Sequence, residues 1–272
     1  MFNNITIGQY YPGETFVHRL DPRFKIIATF LYVIILFLIK DYIVYLLPVA
    51  YLAMAIINSK VPFIMILKGL KPIIVIVLIT LIINILLTPG NIVFQWKIIK
   101  ITEEGLSLGF FMAIRLLLLV IGTSVLTLTT SPIALTDGIE HLLNPLKRIK
   151  VPAHEIAMMM TIALRFIPTL MEETEKIMKA QMARGADFES GNLLKRAQSL
   201  IPILVPLFVS AFRRADELAM AMEARAYRGG IGRTRLKTLK FGKNDIVATI
   251  ITSIMTIAII GCRFIWLKEI FL

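Results

Sequence analysis

The chain has 272 residues, 57% of them hydrophobic and 18% charged, with a net charge of +12. That apolar share, with a mean hydropathy of +0.78, exceeds the roughly 45 to 50% of ordinary soluble domains and excludes that class. A basic excess beside long apolar runs reads as the positive-inside bias of a membrane protein that also touches anionic lipid, and not as a nucleic-acid surface.

The opening "MFNNITIGQYYPGETF" lacks a basic region followed by an apolar one, so no cleavable signal peptide is expected. Five segments approach the roughly 20 apolar residues that an α-helix needs to cross a bilayer. The first, residues 24 to 39, is opened by Asp21 and Pro22, which suit the N-cap and first helical positions. The second, 42 to 57, is short and carries Pro48. The third, 72 to 96, contains no charged residue, the fourth runs from about Gly105 to Thr130 around Arg115, and the fifth covers 246 to 267 up to and past Arg263.

Basic residues mark one side. "RLDPRFK" precedes the first span, Lys60, Lys68 and Lys71 lie between the second and third, and a dense basic tract precedes the fifth. All three are assigned to the cytoplasm, which puts the amino terminus inside. Lys97 and Lys100 fall on the outer side in this scheme.

Between spans four and five the pattern changes. A connecting amphipathic piece, "PIALTDGIEHLLNPLKRI", leads into residues 153 to 183, where Ile156, Met160, Ala163, Ile167, Leu170, Met171, Met178 and Met182 recur at helical spacing with "EETEK" on the opposite face. A second long helix is expected from about Leu193 to Ala226, its stripe including Leu200, Leu204, Leu207, Phe208, Ala211 and Ala215. Pro202 and Pro206 interrupt its hydrogen bonding. The segments read as 1–130, a membrane region of four spans; 131–243, a cytoplasmic coupling region; and 244–272, a last span.

The two long helices end alike. Ala183, Arg184 and Gly185 close the first; Ala224, Arg225 and Ala226 close the second. Glycine and a basic side chain are ordinary features of a helix C-terminus. Their repetition on two successive amphipathic helices reads instead as a pair of docking tips, because a guanidinium fork binds carboxylates and carbonyls while small neighbours let a partner approach.

On these residues the sequence resembles the transmembrane T component of energy-coupling factor (ECF) transporters. "MARGAD" and "MEARAYRGG" look like that family's paired alanine-arginine-glycine signatures, with Ala226 in the second glycine position. "YYPGETFVHRLDPRFKI" is similar to its amino-terminal segment and "IALRFIPTLMEETEKIMKAQMARG" to its first coupling helix. The resemblance implies an all-α integral membrane protein with about five transmembrane helices and two long cytoplasmic-side coupling helices in an L-shaped arrangement, in a prokaryotic plasma membrane. It implies a non-enzymatic scaffold between two cytoplasmic ABC-type ATPase subunits and one or several small membrane proteins that capture a vitamin or metal ion. Each arginine tip, Arg184 and Arg225, would sit in a groove of one ATPase.

What is missing agrees with that role. There is no G-x-x-x-x-G-K-[ST] phosphate loop. His18, His141 and His154 stand apart, so neither a metal nor a cofactor is expected, and His18 near Asp21 reads as part of a polar surface loop. The span interiors lack the carboxylates that ion-coupled carriers place in the membrane. Arg115 reads as reaching the outer interface. The tract 225 to 243 is read equally as a positive-inside flank and as an ATPase contact, and the methionines suit a surface that repacks against several partners. Three alternatives remain at this point: the scaffold of a dedicated cobalt, nickel or biotin system; a membrane-embedded lipid-modifying enzyme, for which "EETE" at 172 to 175 is the one candidate cluster; and a channel, for which the sequence shows no repeated pore-lining ring.

Overall fold

The computed structural model describes residues 10–96, 99–188, 192–229 and 239–271. It is predominantly helical: α1 (Pro22–Leu38), a 3-10 turn (Ile43–Tyr45) running into α2 (Leu46–Ser59), α3 (Phe63–Leu87), a two-stranded hairpin of β1 (Ile92–Trp96) and β2 (Ile99–Thr102), α4 (Glu103–Thr129), α5 (Pro132–Leu143), α6 (Ala153–Ala183), α7 (Leu193–Ser199), α8 (Ile201–Ala224) and α9 (Lys243–Phe271). Among the described residues, α3, α4 and the Lys243–Arg263 part of α9 are long and apolar enough to cross a membrane, and Ile43–Ser59 is a shorter apolar helix. At 17 residues α1 is about 25 Å long, a little under the roughly 30 Å hydrocarbon core.

The chain divides into two compact units, one drawn from Gly8–Gly138 with Leu239–Leu272 and the other containing Ile139–Thr238. In the first unit, Tyr32, Ile35, Leu36 and Ile39 of the α1 side pack with Tyr45, Leu52, Phe111, Leu118, Met255 and Ile259. α3 lies outside this core, exposing Val75, Ile76, Leu78, Ile79 and Ile82. It is held by α4, and Gly105 and Gly109 explain how: a Cβ on Gly105 would stand 2.9 Å from the Asn84 carbonyl oxygen, and one on Gly109 3.3 Å from that of Leu81. This is the close backbone approach that small residues four apart permit between membrane helices.

The third span differs from its sequence reading in register. The helix begins at Phe63, so Lys68 and Lys71 lie inside it, exposed, where their long stems can carry the charge outward. It stops at Leu87, with Thr88 extended, because Pro89 and Gly90 follow. The last five residues of the expected span form β1 instead, with Gln95 opposite Lys100 and Ile92 opposite Thr102. Thr102 closes the hairpin: its hydroxyl donates to the Thr88 carbonyl (2.8 Å) and accepts from the Gly105 N–H (3.1 Å) as the N-cap of α4. Lys97 lies outside the described residues.

The segment before α1 is a surface loop only in part, with Pro12, Glu14, Phe16 and Arg19 exposed but its end anchored inside. Asp21 and Asp245 are 5% and 3% exposed. Asp245, at the start of α9, accepts from the Asp21 N–H at 2.7 Å and from the Gly242 N–H at 2.7 Å, while Arg23 chelates Asp21 and donates to the Leu239 carbonyl. Lys25 donates to the carbonyls of His18 (3.1 Å) and Thr129 (2.9 Å). His18 is half-buried, bonded to the Thr15 hydroxyl and the Tyr11 carbonyl. Buried polar groups must be paired, and here the pairing joins the first helix to the last.

Arg115 is held at the C-terminal end of α1. Its guanidinium donates to the Ile39 carbonyl at 3.0 Å and to the Tyr45 hydroxyl at 3.2 Å, and lies 5.0 Å and 5.5 Å from the ring centroids of Phe111 and Phe37. Ile39 caps α1, so the cation meets the negative end of that helix between two aromatic faces.

Candidate functional site

The second unit carries the two arginine tips. α6 is continuous over 31 residues despite Pro168. The second expected long helix is two: α7 ends at Ser199 and α8 begins at Ile201, the break falling where Pro202 takes the second position of a new helix. Pro206 lies inside α8 and, having no N–H, leaves the Pro202 carbonyl without its helical partner. Gln181 of α6 supplies a substitute, its side-chain amide donating to that oxygen at 3.4 Å.

A second bridge fixes the pairing. Glu173 of α6 accepts from Arg214 at 3.0 Å and bonds with Ser210, both on α8. The Ser210 hydrogen bond is the main cause holding the Glu173 carboxyl below its ordinary range, with Arg214 adding to it. Gln181 near Pro202 and Glu173 near Ser210 and Arg214 require the two helices to run antiparallel.

The inner stripe of α8 is therefore Ile203, Leu207, Ser210, Arg214 and Leu218, at spacings of three and four. Leu204, Phe208 and Ala215, placed on one stripe by sequence periodicity, are exposed. So are Val205, Val209 and Phe212, which leaves α8 with a broad apolar outer face. On α6 the same holds for Met160, Ala163, Ile167 and Met182. Glu173 was legible only as part of a charged face. The available signal was the pair Ser210 and Arg214, polar residues one turn apart within an otherwise apolar stripe.

Both tips share one backbone conformation. At the end of α6, Arg184 is the C-cap (φ −90°, ψ 9°) and Gly185 is left-handed (φ 87°). The Ala186 N–H donates to the Gln181 carbonyl and the Gly185 N–H to that of Met182, both at 3.0 Å. At the end of α8, Arg225 is the C-cap (φ −89°, ψ 12°) and Ala226 is left-handed (φ 54°). Here Tyr227 donates to Met222 at 3.0 Å and Ala226 to Glu223 at 2.8 Å. Each is a Schellman motif. The alanine at 226 does not make the second tip different; it adopts the glycine conformation at a steric cost.

Ala183, Arg184, Gly185, Ala224, Arg225 and Ala226 are all exposed. Neither Arg184 nor Arg225 forms an ion pair among the described residues. The structure does not bring the tips together. Since α8 starts beside the end of α6, Arg225 lies 23 residues along it from Pro202, about 35 Å from the Arg184 end at 1.5 Å per residue. Of the basic tract, Arg228, Lys240 and Lys243 are exposed, and Arg233, Arg235 and Lys237 lie outside the described residues.

Residues 13–237 match the family described as CbiQ, cobalt transport protein. The chain belongs to this family of energy-coupling factor transporter transmembrane proteins. It is 57% identical to the energy-coupling factor transporter transmembrane protein EcfT of Clostridium kluyveri over 270 residues, 98% of this chain and 100% of that protein. It is 55% identical to the EcfT of Thermosediminibacter oceani over 262 residues (96% and 99%) and 52% identical to that of Bacillus subtilis over 259 (95% and 97%). The chain is thus a transmembrane transport component of the ECF class.

Proposed function

We propose that the chain is the scaffold through which two cytoplasmic ATPase subunits drive a separate membrane subunit that binds a vitamin or other micronutrient. Five segments, α1, α2 with its 3-10 turn, α3, α4 and α9, lie in the membrane with the amino terminus on the cytoplasmic side, and residues 131–243 couple. The observation that carries the reading is the pair of tips: the same Schellman geometry presents an exposed arginine, without an ion pair among the described residues, at each end of one antiparallel helix pair, about 35 Å apart. Two tips at opposite ends fit two like partners better than one.

Ala183, Arg184 and Gly185 then dock one ATPase, and Ala224, Arg225 and Ala226 the other. Each guanidinium reaches carbonyls or carboxylates lining a groove. Closure of the ATPase pair on ATP pulls the two tips relative to each other, so the motion passes along α6 and α8. Their exposed apolar faces, Met159, Met160 and Ile167 on one and Val205, Phe208 and Phe212 on the other, repack against the substrate-binding subunit. The chain itself does no chemistry; hydrolysis belongs to its partners.

The test is a mild-detergent pull-down of the tagged chain from its host, with mass spectrometry, repeated for Arg184→Glu and Arg225→Glu. Two ATPase subunits and at least one small membrane protein are expected with the unaltered chain. Each variant should lose ATPase or retain it with hydrolysis uncoupled from uptake. Normal recovery and normal transport in both variants would return the tips to plain helix ends.

A further inference from the structure

The first unit contains a cavity of about 320 Å³ enclosed by α1, α2, α4 and α9. Its body is apolar: Ala28, Tyr32, Leu52, Gly122 and Ile251 line it. Its other end is polar, with Lys25, Asn58 and Thr129 at one level. From Lys25 to Tyr32 is seven residues of α1, so the cavity runs about 10 Å along that helix. On the α1 and α4 side Lys25, Ala28, Tyr32, Gly122 and Thr129 are buried and the other lining residues half-buried, whereas Met54 and Val247 are each 48% exposed and Asn58 is exposed. The opening therefore lies between α2 and α9.

Lys25 is 6% exposed. Its ammonium has three N–H donors, of which two are bound, to the carbonyls of His18 and Thr129. Among the described residues nothing accepts the third. Lys60, exposed at the end of α2 two residues beyond Asn58, adds a second cation at this end.

We propose that this cavity takes one acyl chain of an anionic glycerophospholipid, entering from the bilayer between α2 and α9, with its phosphate held at the Lys25 end. The inference rests on the reading that α1 and α2 lie in the membrane. Water is a poor occupant of the apolar body of the cavity, because an apolar cavity stays dry. A single alkyl chain is slim enough, and the donor-rich polar end selects an acceptor-rich, negatively charged head group.

The experiment uses the full chain with its co-purifying partners in phosphatidylcholine vesicles carrying a minor share of phosphatidylglycerol. Either lipid bears a photoactivatable acyl chain, and adducts are located by peptide mass spectrometry. Phosphatidylglycerol adducts should concentrate on Tyr51 to Ala55 and on Ile251. Lys25→Met should lower the ratio of phosphatidylglycerol to phosphatidylcholine adducts there several-fold, with Lys25→Arg retaining it. Ala55→Phe, which plugs the opening without touching the buried polar contacts, should remove cavity adducts of both lipids while those on α3 persist.

Cavity labelling no denser than on α3, or a ratio unchanged in Lys25→Met, would overturn the inference while labelled α3 leaves the membrane scaffold reading standing. Absence of adducts from every helix would overturn both.

Discussion

Gly185 separates a docking tip from an ordinary helix end, because strain and bulk can be varied there independently. At φ 87° an L side chain is disfavoured, while a Cβ built on Gly185 meets nothing within 4 Å. Alanine thus adds strain of about 1 to 2 kcal/mol and little bulk, whereas asparagine tolerates the left-handed region and adds a larger side chain. If the tip only ends a helix, Gly185→Ala should be the worse change. A cost of about 1.4 kcal/mol would raise the locally opened population about tenfold, read as faster amide exchange over residues 181 to 187, and ATPase recovery should not change. If a partner closes on the glycine, the order reverses: Gly185→Asn should lose ATPase in a pull-down more severely than Gly185→Ala while exchanging more slowly. The reciprocal change at the other tip, Ala226→Gly, should slow exchange over 222 to 228, since it relieves a strain already present at φ 54°. Equal ATPase recovery from all three variants would refute close docking at these positions.

Glu173→Gln weakens the Arg214 bridge, which is partly exposed, so a stability loss of no more than about 1 kcal/mol is expected. The larger effect should be looser coupling, measured as ATP hydrolysis per molecule of substrate taken up; an unchanged ratio would mean that α6 and α8 need no link there. Gly105→Ala should destabilise by about 1 to 3 kcal/mol by thermal unfolding in detergent, because its Cβ would meet the Asn84 carbonyl oxygen at 2.9 Å and the Thr102 hydroxyl at 2.7 Å. Burial, the largest cause, holds the His18 pKa below 6.5, partly opposed by its bond to the Tyr11 carbonyl. The unfolded chain therefore binds this proton first, and stability should fall as pH drops below about 6.5, a slope that His18→Gln should remove.

Periodicity along the chain was enough to locate α6, the body of α4 and both arginine tips, because a helix and its Schellman end are built from residues within one or two turns. Pro89 and Gly90 were a local stop signal too, outweighed by the uncharged run from 72 to 96, which hid the β1 and β2 hairpin. Composition likewise made the membrane class legible, since apolar content requires no knowledge of partners. The tertiary structure decided which polar groups meet. Asp21 and Asp245 are 224 positions apart, Lys25 reaches a carbonyl 104 residues away, and Arg115 finds one 76 residues back. It also decided that α6 and α8 run antiparallel with the tips at opposite ends, through Gln181 and Glu173. Helix formation depends on hydrogen bonds four residues apart, so neighbours in sequence suffice to specify it. A buried charge is tolerated only where another element supplies its partner, and that is a property of the packed chain.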